Sequence, residues 1–165
     1  MKFRDLKADE IDVRVGTATD KGISLLLYKD ARVDMNILDE TVGQMNWQRH
    51  HSRDNRNCII AIWDEEKKQW IEKEDTGTES FSEAEKGVAS DSFKRSGFNW
   101  GIGRELYTAP FIWVSSDKCK IEPYQNKFIC KDQFKVEKIE IKDKVITGLT
   151  IINQKGERVF GYVKK

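Results

Sequence analysis

The sequence has little proline, little cysteine and no long apolar run. Its 165 residues include two prolines and three cysteines, so neither long irregular linkers nor a disulfide framework is expected. No apolar stretch approaches the roughly 20 residues that cross a bilayer. The first ten residues also lack the apolar segment of a secretory signal. We therefore expect a cytoplasmic protein that makes no membrane contact.

An excess of one charge is also missing, because 29 basic residues face 28 acidic ones and the net charge is +1. Proteins that bind nucleic acids are usually basic, so this total counts mildly against one. The distribution is uneven, however. Three arginines and two histidines fall within 49–56, and carboxylates outnumber lysines over 64–85. A neutral total can hide a basic groove beside an acidic face; the alternative is a solvated surface of mixed charge.

The pattern of apolar residues predicts a single α+β domain over residues 1–165. We expect an antiparallel β-meander packed on a long central helix, which is a β-β-β-α core, with an N-terminal hairpin and a C-terminal β-meander. The helix before the meander has Asp30 as its N-cap and Gly43 as its C-cap. The predicted strands are 11–16, 23–28, 46–54, 58–63, 69–75, 111–114, 133–142, 145–153 and 157–163, with a polar loop over 115–132.

The stretch 80–110 is predicted to form the central helix. Two overlapping capping boxes mark its start, and a helix that reaches Tyr107 would be about 40 Å long. Apolar residues lie on opposite sides of this helix, and one sheet buries only one side, so we expect a second subunit on the other. Glycines near its end either break the helix or admit a close neighbour. The glycines are Gly97, Gly101 and Gly103, and the capping boxes are Ser80–Glu83 and Ser82–Glu85.

Signatures of common enzyme classes are missing, since the chain has no GxSxG, P-loop or HExxH motif. The lone GxG at 101–103 indicates close packing. Carboxylates at Glu72, Glu74 and Asp75 could hold Mg²⁺ for phosphoryl chemistry, or they could be a solvated strand face. His50 and His51 with Cys58 could bind a metal, but adjacent histidines in a strand point to opposite faces. We expect no cofactor and no metal.

Binding to a nucleic-acid backbone requires cations that reach phosphates. Lys94 and Arg95 interrupt an apolar stretch, and their positions diverge by about 100° on a helix. One could face a groove while the other lines its wall; alternatively, both could lie along the packed helix or pair with Asp91. Arg32 lies in a first helical turn, where the helix dipole disfavours a cation. The candidate contacts are Arg32, Arg49, Arg53, Arg56, Lys94, Arg95 and Arg104.

The segment EAEKGVASDSFKRSGFNWGIGRELY resembles the signature helix of the phage Sak-type single-strand annealing proteins. These proteins belong to the superfamily named after the eukaryotic Rad-type recombination mediator. Two further blocks are similar to the family in the same order: Asp30–Val33, with Gly43 and Trp47 after it, and Glu74–Glu79. The resemblance covers about residues 29–110. The matching positions of the signature helix are Ala89, Phe93-Lys94-Arg95 and Trp100-Gly101.

The resemblance implies ATP-independent annealing of complementary single strands in homologous recombination and DNA repair, without enzymatic activity. It implies a homo-oligomeric ring or filament in a bacterium or phage-infected cell, with a single-strand-binding protein or an exonuclease as a possible partner. Arg32, Lys94 and Arg95 map onto the family's contacts to the DNA backbone, whereas Phe98 departs from an arginine in the eukaryotic relatives. The meander over 133–165 is outside the match. The alternatives are a Mg²⁺-dependent nucleic-acid-processing enzyme and a protein-interaction module.

Overall fold

The computed structural model describes residues 1–78 and 84–165, and it confirms an α+β fold with mostly antiparallel strands. The chain divides into two compact units. The first unit comprises Met1–Arg4 and Lys29–Gly103, and the second comprises Asp5–Tyr28 and Arg104–Lys165. The prediction of one domain over the whole chain stays a prediction. No described helix is long and apolar enough to cross a membrane.

The described part of the chain forms the following strands and α-helices. In chain order they are β1 (Ile11–Ala18), β2 (Gly22–Lys29), α1 (Ala31–Val42), β3 (Trp47–Ser52), β4 (Asn57–Asp64), β5 (Gln69–Thr76), α2 (Ala84–Trp100), β6 (Ile112–Ser115), β7 (Ile121–Tyr124), β8 (Lys127–Cys130), β9 (Phe134–Lys142), β10 (Val145–Asn153) and β11 (Arg158–Val163).

The first unit is the predicted β-β-β-α core with α1 added. Strands β3, β4 and β5 form an antiparallel sheet in that order, and the apolar strand β4 is central as expected. Helix α2 packs on β4 and β5, and α1 packs on α2 and β3. The fully buried apolar side chains of this unit include Ile37, Leu38, Ile60, Ile62 and Phe93.

The prediction of a long central helix is wrong, because α2 ends at Trp100. Its 17 residues span about 25 Å. Gly101 and Gly103 follow with φ of 94° and 69°, a left-handed conformation that glycine adopts without steric cost and that ends a helix. A short 3-10 turn over Arg104–Thr108 comes next. The predicted capping boxes include residues 80, 82 and 83, which lie outside the described residues.

The apolar faces of α2 give no direct support to an oligomer. Over 87–100, where the side chains are described, every residue is buried or half-buried. Both Val88 and Phe93, which belong to the two opposing faces, are buried within this single chain. The expectation that a second subunit covers one face of α2 therefore loses its basis, and a ring or filament needs other support.

The second unit is built on a six-stranded antiparallel sheet in the order β11-β10-β9-β1-β2-β6. The predicted N-terminal hairpin and C-terminal meander are both present, and they join where β1 pairs with β9, with Asp12 opposite Lys135. The predicted polar loop over 115–132 instead contains a small hairpin of β7 and β8. Those two strands have four residues each, too short for an apolar period to stand out.

Gly97 is a point of close approach inside the first unit. A Cβ atom at Gly97 would lie 3.0 Å from Asp34 Oδ1 and 3.3 Å from Lys29 Nζ. The expected close neighbour is therefore a buried pair of side chains that cannot move aside toward solvent.

We expect Gly97→Ala to lower the free energy of unfolding by roughly 1–2 kcal/mol, since overpacking outweighs the gain in helix propensity. Urea denaturation monitored by circular dichroism measures the change. Gly161→Ala is the control, because a Cβ there meets open space. A Gly97→Ala variant as stable as the wild type would show that this close approach does not limit the packing.

Candidate nucleic-acid interface

The first turn of α1 is capped in a way that leaves Arg32 exposed. Asp30 is the N-cap, and its Oδ1 accepts a hydrogen bond of 2.7 Å from the backbone N–H of Arg32. The Arg32 guanidinium donates to both carboxylate oxygens of Asp30, at 3.1 and 3.0 Å. This contact holds the pKa of Asp30 below its ordinary value. The Arg32 side chain is nevertheless 80% exposed, and an exposed ion pair is worth at most about 1 kcal/mol, so a phosphate can compete for the guanidinium.

Lys94 of α2 lies close to this capped turn. Its charge contributes to the lowered pKa of Asp30 and also acts on Asp34. The charges of Arg32 and Lys94, which are 62 positions apart in the sequence, therefore both act on the carboxylate of Asp30.

A buried ion pair fixes α1 against α2 directly below Lys94. Lys29 and Asp34 are paired and fully buried. The ammonium of Lys29 also donates to the backbone carbonyl of Lys94 at 3.3 Å and lies 4.0 Å from the centre of the Phe98 ring. Asp34 Oδ2 is buried and has no hydrogen-bond partner. Burial raises the pKa of Asp34 to about 6, against the attraction of Lys29.

Arg49 of β3 lies over Phe93, the residue of α2 that precedes Lys94. Its guanidinium is 5.1 Å from the centre of the Phe93 ring, a cation–π contact that holds the arginine near the helix. Trp47 stacks on the same ring with 6.1 Å between centroids. The indole N–H of Trp47 donates to Asp39 of α1 at 2.7 Å. Arg49 is exposed, so its charge faces solvent while the Phe93 ring lies beneath it.

The turn between β3 and β4 carries two more arginines. Arg53, Asp54 and Asn55 all have positive φ, between 53° and 65°, which reverses the chain within a few residues. The hydroxyl of Ser92 donates to the Asn55 carbonyl at 2.8 Å, so α2 holds this turn in place. Arg53 and Arg56 are both exposed.

Three consecutive residues of α2 thus connect the cationic segments of the first unit. Ser92 binds the β3–β4 turn, Phe93 supports Arg49, and the charge of Lys94 acts on Asp30, the partner of Arg32. We call the resulting group of side chains the basic cluster. Its members are Arg32, Arg49, Arg53, Arg56 and Lys94.

Two other sequence-predicted contacts have different surroundings. Arg95 pairs with Asp91 one turn earlier in α2 at 3.0 Å, and Asp91 also accepts the backbone N–H of Thr78. The pairing with Asp91 was one of the two alternatives for Arg95, and it places this arginine beside the end of β5. Arg104 belongs to the other compact unit.

The carboxylates proposed for Mg²⁺ are not on one face of the sheet. Glu72 and Glu74 are paired with Ala61 and Ile59, and they share a face, as alternation requires. Asp75 points to the opposite face, where it accepts a hydrogen bond from Asn99 of α2 at 3.2 Å. Within the described residues, no group of three or more His, Cys, Asp or Glu side chains is arranged to hold a metal ion.

The histidine pair follows the predicted alternation. His51 faces α2, with Nδ1 3.4 Å from the Ser92 hydroxyl, whereas His50 contacts Gln48 on the other face. Burial, helped by the charge of Arg49, lowers the pKa of His51. Burial raises the pKa of the Cys58 thiol to about 11, so Cys58 remains protonated at neutral pH.

Comparison with known proteins adds no relative. No protein-family model, curated protein or solved structure matches the chain. The resemblance to single-strand annealing proteins therefore stays a prediction, and any assignment of function rests on the basic cluster itself.

Some of this arrangement escaped sequence reasoning. Lys29 ends an apolar strand and Asp34 follows five positions later, which was the available signal for a buried pair. The stack of Trp47 on Phe93 joins residues 46 positions apart, and no local pattern encodes such a contact.

We expect the free energy of unfolding to depend on pH through Asp34, the buried partner of Lys29. The pKa of Asp34 in the folded state, about 6, is above the ordinary value of 3.8. The stabilising contribution of Asp34 to the free energy of unfolding is then fully present below pH 4, and it is lost as the pH rises through about 6. The difference in unfolding free energy between the wild type and Asp34→Asn should shrink between pH 4 and pH 6. Urea titrations across this range measure it, and a constant difference would contradict the assignment.

We also expect Asp34→Ala to lower the free energy of unfolding by roughly 3–5 kcal/mol at neutral pH, because the buried Lys29 ammonium then loses its hydrogen-bond acceptor, which Asp34 offers in either protonation state. The double variant Lys29→Met with Asp34→Ala removes both charges and should recover at least half of that loss. Thermal or urea denaturation provides the comparison. A double variant less stable than Asp34→Ala would show that burial of the charge is not the cause.

Proposed function

We propose that this protein binds single-stranded DNA along its sugar-phosphate backbone and promotes annealing of complementary strands without ATP. The observation that carries the proposal is the basic cluster, which α2 assembles through Ser92, Phe93 and Lys94. Five cations from α1, β3, the β3–β4 turn and α2 belong to one compact unit. Arginine and lysine charges that neutralise phosphates bind DNA without regard to sequence. Annealing suits such contacts, because they hold a strand and leave its bases available for pairing.

The surroundings of the cluster favour backbone contact over base stacking. Phe93, the aromatic ring beneath Arg49, is fully buried and covered by Trp47. Asp30 is paired with Arg32 and feels the charge of Lys94, so it moderates the local positive charge. Moderate, salt-sensitive binding follows from this balance, and it lets a strand dissociate once it has paired. Arg95 is a further candidate contact at the edge of the cluster.

The proposed homo-oligomer, a ring or filament, has support from the three-stranded sheet. In the described residues β3 and β5 each pair with β4 only, so both are edge strands. Strand β3 carries Arg49, His50 and His51, whereas β5 carries Glu72, Glu74 and Asp75. An edge strand pairs readily with another chain, and the charges favour β3 of one copy beside β5 of the next. A head-to-tail contact of this kind generates a ring or a filament.

The test uses fluorescently labelled complementary strands without ATP. The wild-type protein should accelerate their annealing, and the triple variant Arg32→Ala, Arg49→Ala and Lys94→Ala should lose most of this activity. Its plot of log affinity against log salt should be shallower by roughly 0.7 to 1 per lost contact.

A matched control is Lys67→Ala with Lys68→Ala, in the turn at the opposite end of β4 from Arg53 and Arg56. This control should anneal DNA as the wild type does. Equal binding of single-stranded DNA by the triple variant and the wild type would refute the basic cluster as the binding site. Cleavage of the strands in the presence of Mg²⁺, abolished by EDTA, would instead identify a nucleic-acid-processing enzyme.

A further inference from the structure

The exposed face of the six-stranded sheet in the second unit has aromatic side chains along one half. Ser24 of β2 is paired with Trp113 of β6, so Trp113 shares its face with the alternate residues of β2, which include Leu26 and Tyr28. Phe111 stacks on Trp113 with ring centroids 6.2 Å apart and an angle of 19° between the planes. Phe111 is 77% exposed, and Tyr28 and Trp113 are each 37% exposed.

A glycine lies beneath the largest ring of the aromatic half. A Cβ at Gly22 would lie 2.6 Å from Cζ2 of Trp113, so the indole lies across β2 at this position. In the neighbouring strand, a Cβ at Gly16 would lie 3.0 Å from Leu26 Cδ1. Two glycines thus make room for the apolar side chains above them.

The other half of the same face carries both cations and carboxylates. Arg14 of β1 lies over the Tyr28 ring at 5.0 Å, at the boundary between the halves. Lys135 of β9 is opposite Asp12, two residues before Arg14, and so belongs to this face. Lys138 also belongs to it, because Lys135 and Lys138 are paired with alternate residues of β10. Two carboxylates belong to this half as well, since Asp12 is opposite Lys135 and Glu140 is paired with Gly148, which alternates with the partner of Lys138. Glu137 of β9 is paired with Arg158.

We propose that this face is a second binding surface for single-stranded nucleic acid, on which bases stack. Bases would lie on Tyr28, Phe111 and Trp113, while phosphates would contact Arg14, Lys135 and Lys138. Stacking on exposed aromatic residues beside cations is how sheet surfaces bind single strands without a fixed sequence. On this half the cations Arg14, Lys135 and Lys138 outnumber the carboxylates Asp12 and Glu140, and this excess beside the aromatic residues favours a polyanion over a protein partner. The surface differs in chemistry from the basic cluster, since it would recognise bases as well as phosphates.

The test compares binding of a labelled oligo(dT) strand with binding of a strand of the same length that lacks bases. We expect the wild-type protein to prefer oligo(dT). The double variant Phe111→Ala with Tyr28→Ala should bind oligo(dT) at least about fivefold more weakly, the lower limit for loss of a stacked base. Its affinity for the base-free strand should not change. Tyr124→Ala is the control, since this exposed tyrosine lies in the separate β7–β8 hairpin.

The two proposals fail in different ways. Loss of the basic cluster should weaken binding of both strands equally, whereas loss of the aromatic face should weaken only the strand with bases. No preference for oligo(dT), or a preference that survives the double variant, would overturn the second surface. A change in oligomer mass without a change in DNA affinity would also overturn it, because the face would then be a protein interface. Phe111→Ala alone is a second variant, and its ring is too exposed for the change to unfold the protein.

Discussion

The buried pair of Lys29 and Asp34 is the contact on which the first compact unit depends. It fills the space that Gly97 leaves between α1 and α2, and Lys29 also binds the backbone at Lys94. Charges without solvent are tolerated only when paired and hydrogen-bonded. The two helices therefore have one close arrangement, and the positions of Arg32 and Lys94 follow from it.

Helix α2 also positions several other segments, because Ser92, Phe93 and Lys94 each contact a different one. One helix thereby sets the positions of cations that come from α1, β3 and the β3–β4 turn. Because an interface for phosphates needs charges at set spacings, a rigid helix is a better support for it than a loop. The proposed annealing function depends on this rigidity as much as on the charges themselves.

The two compact units present different chemistry to a single strand. The basic cluster of the first unit offers charge above buried aromatic residues, which suits the backbone. The sheet face of the second unit offers exposed aromatic rings with cations beside them, which suits bases and phosphates together. A protein that pairs strands gains from both, since phosphate contacts retain a strand and stacking contacts order its bases.

The sequence by itself determined the local elements. These are the α1 caps at Asp30 and Gly43, the central strand β4, the N-terminal hairpin and the C-terminal meander. Each depends on neighbours within a few residues, which is the range over which caps, turns and apolar periods act. The tertiary structure alone decided the rest. Gly97 admits a buried ion pair while Gly101 ends the helix, although both are helical glycines in the sequence. Arg49 contacts Phe93 and Trp47 stacks on the same ring, because these contacts require packing between segments that lie far apart in the chain.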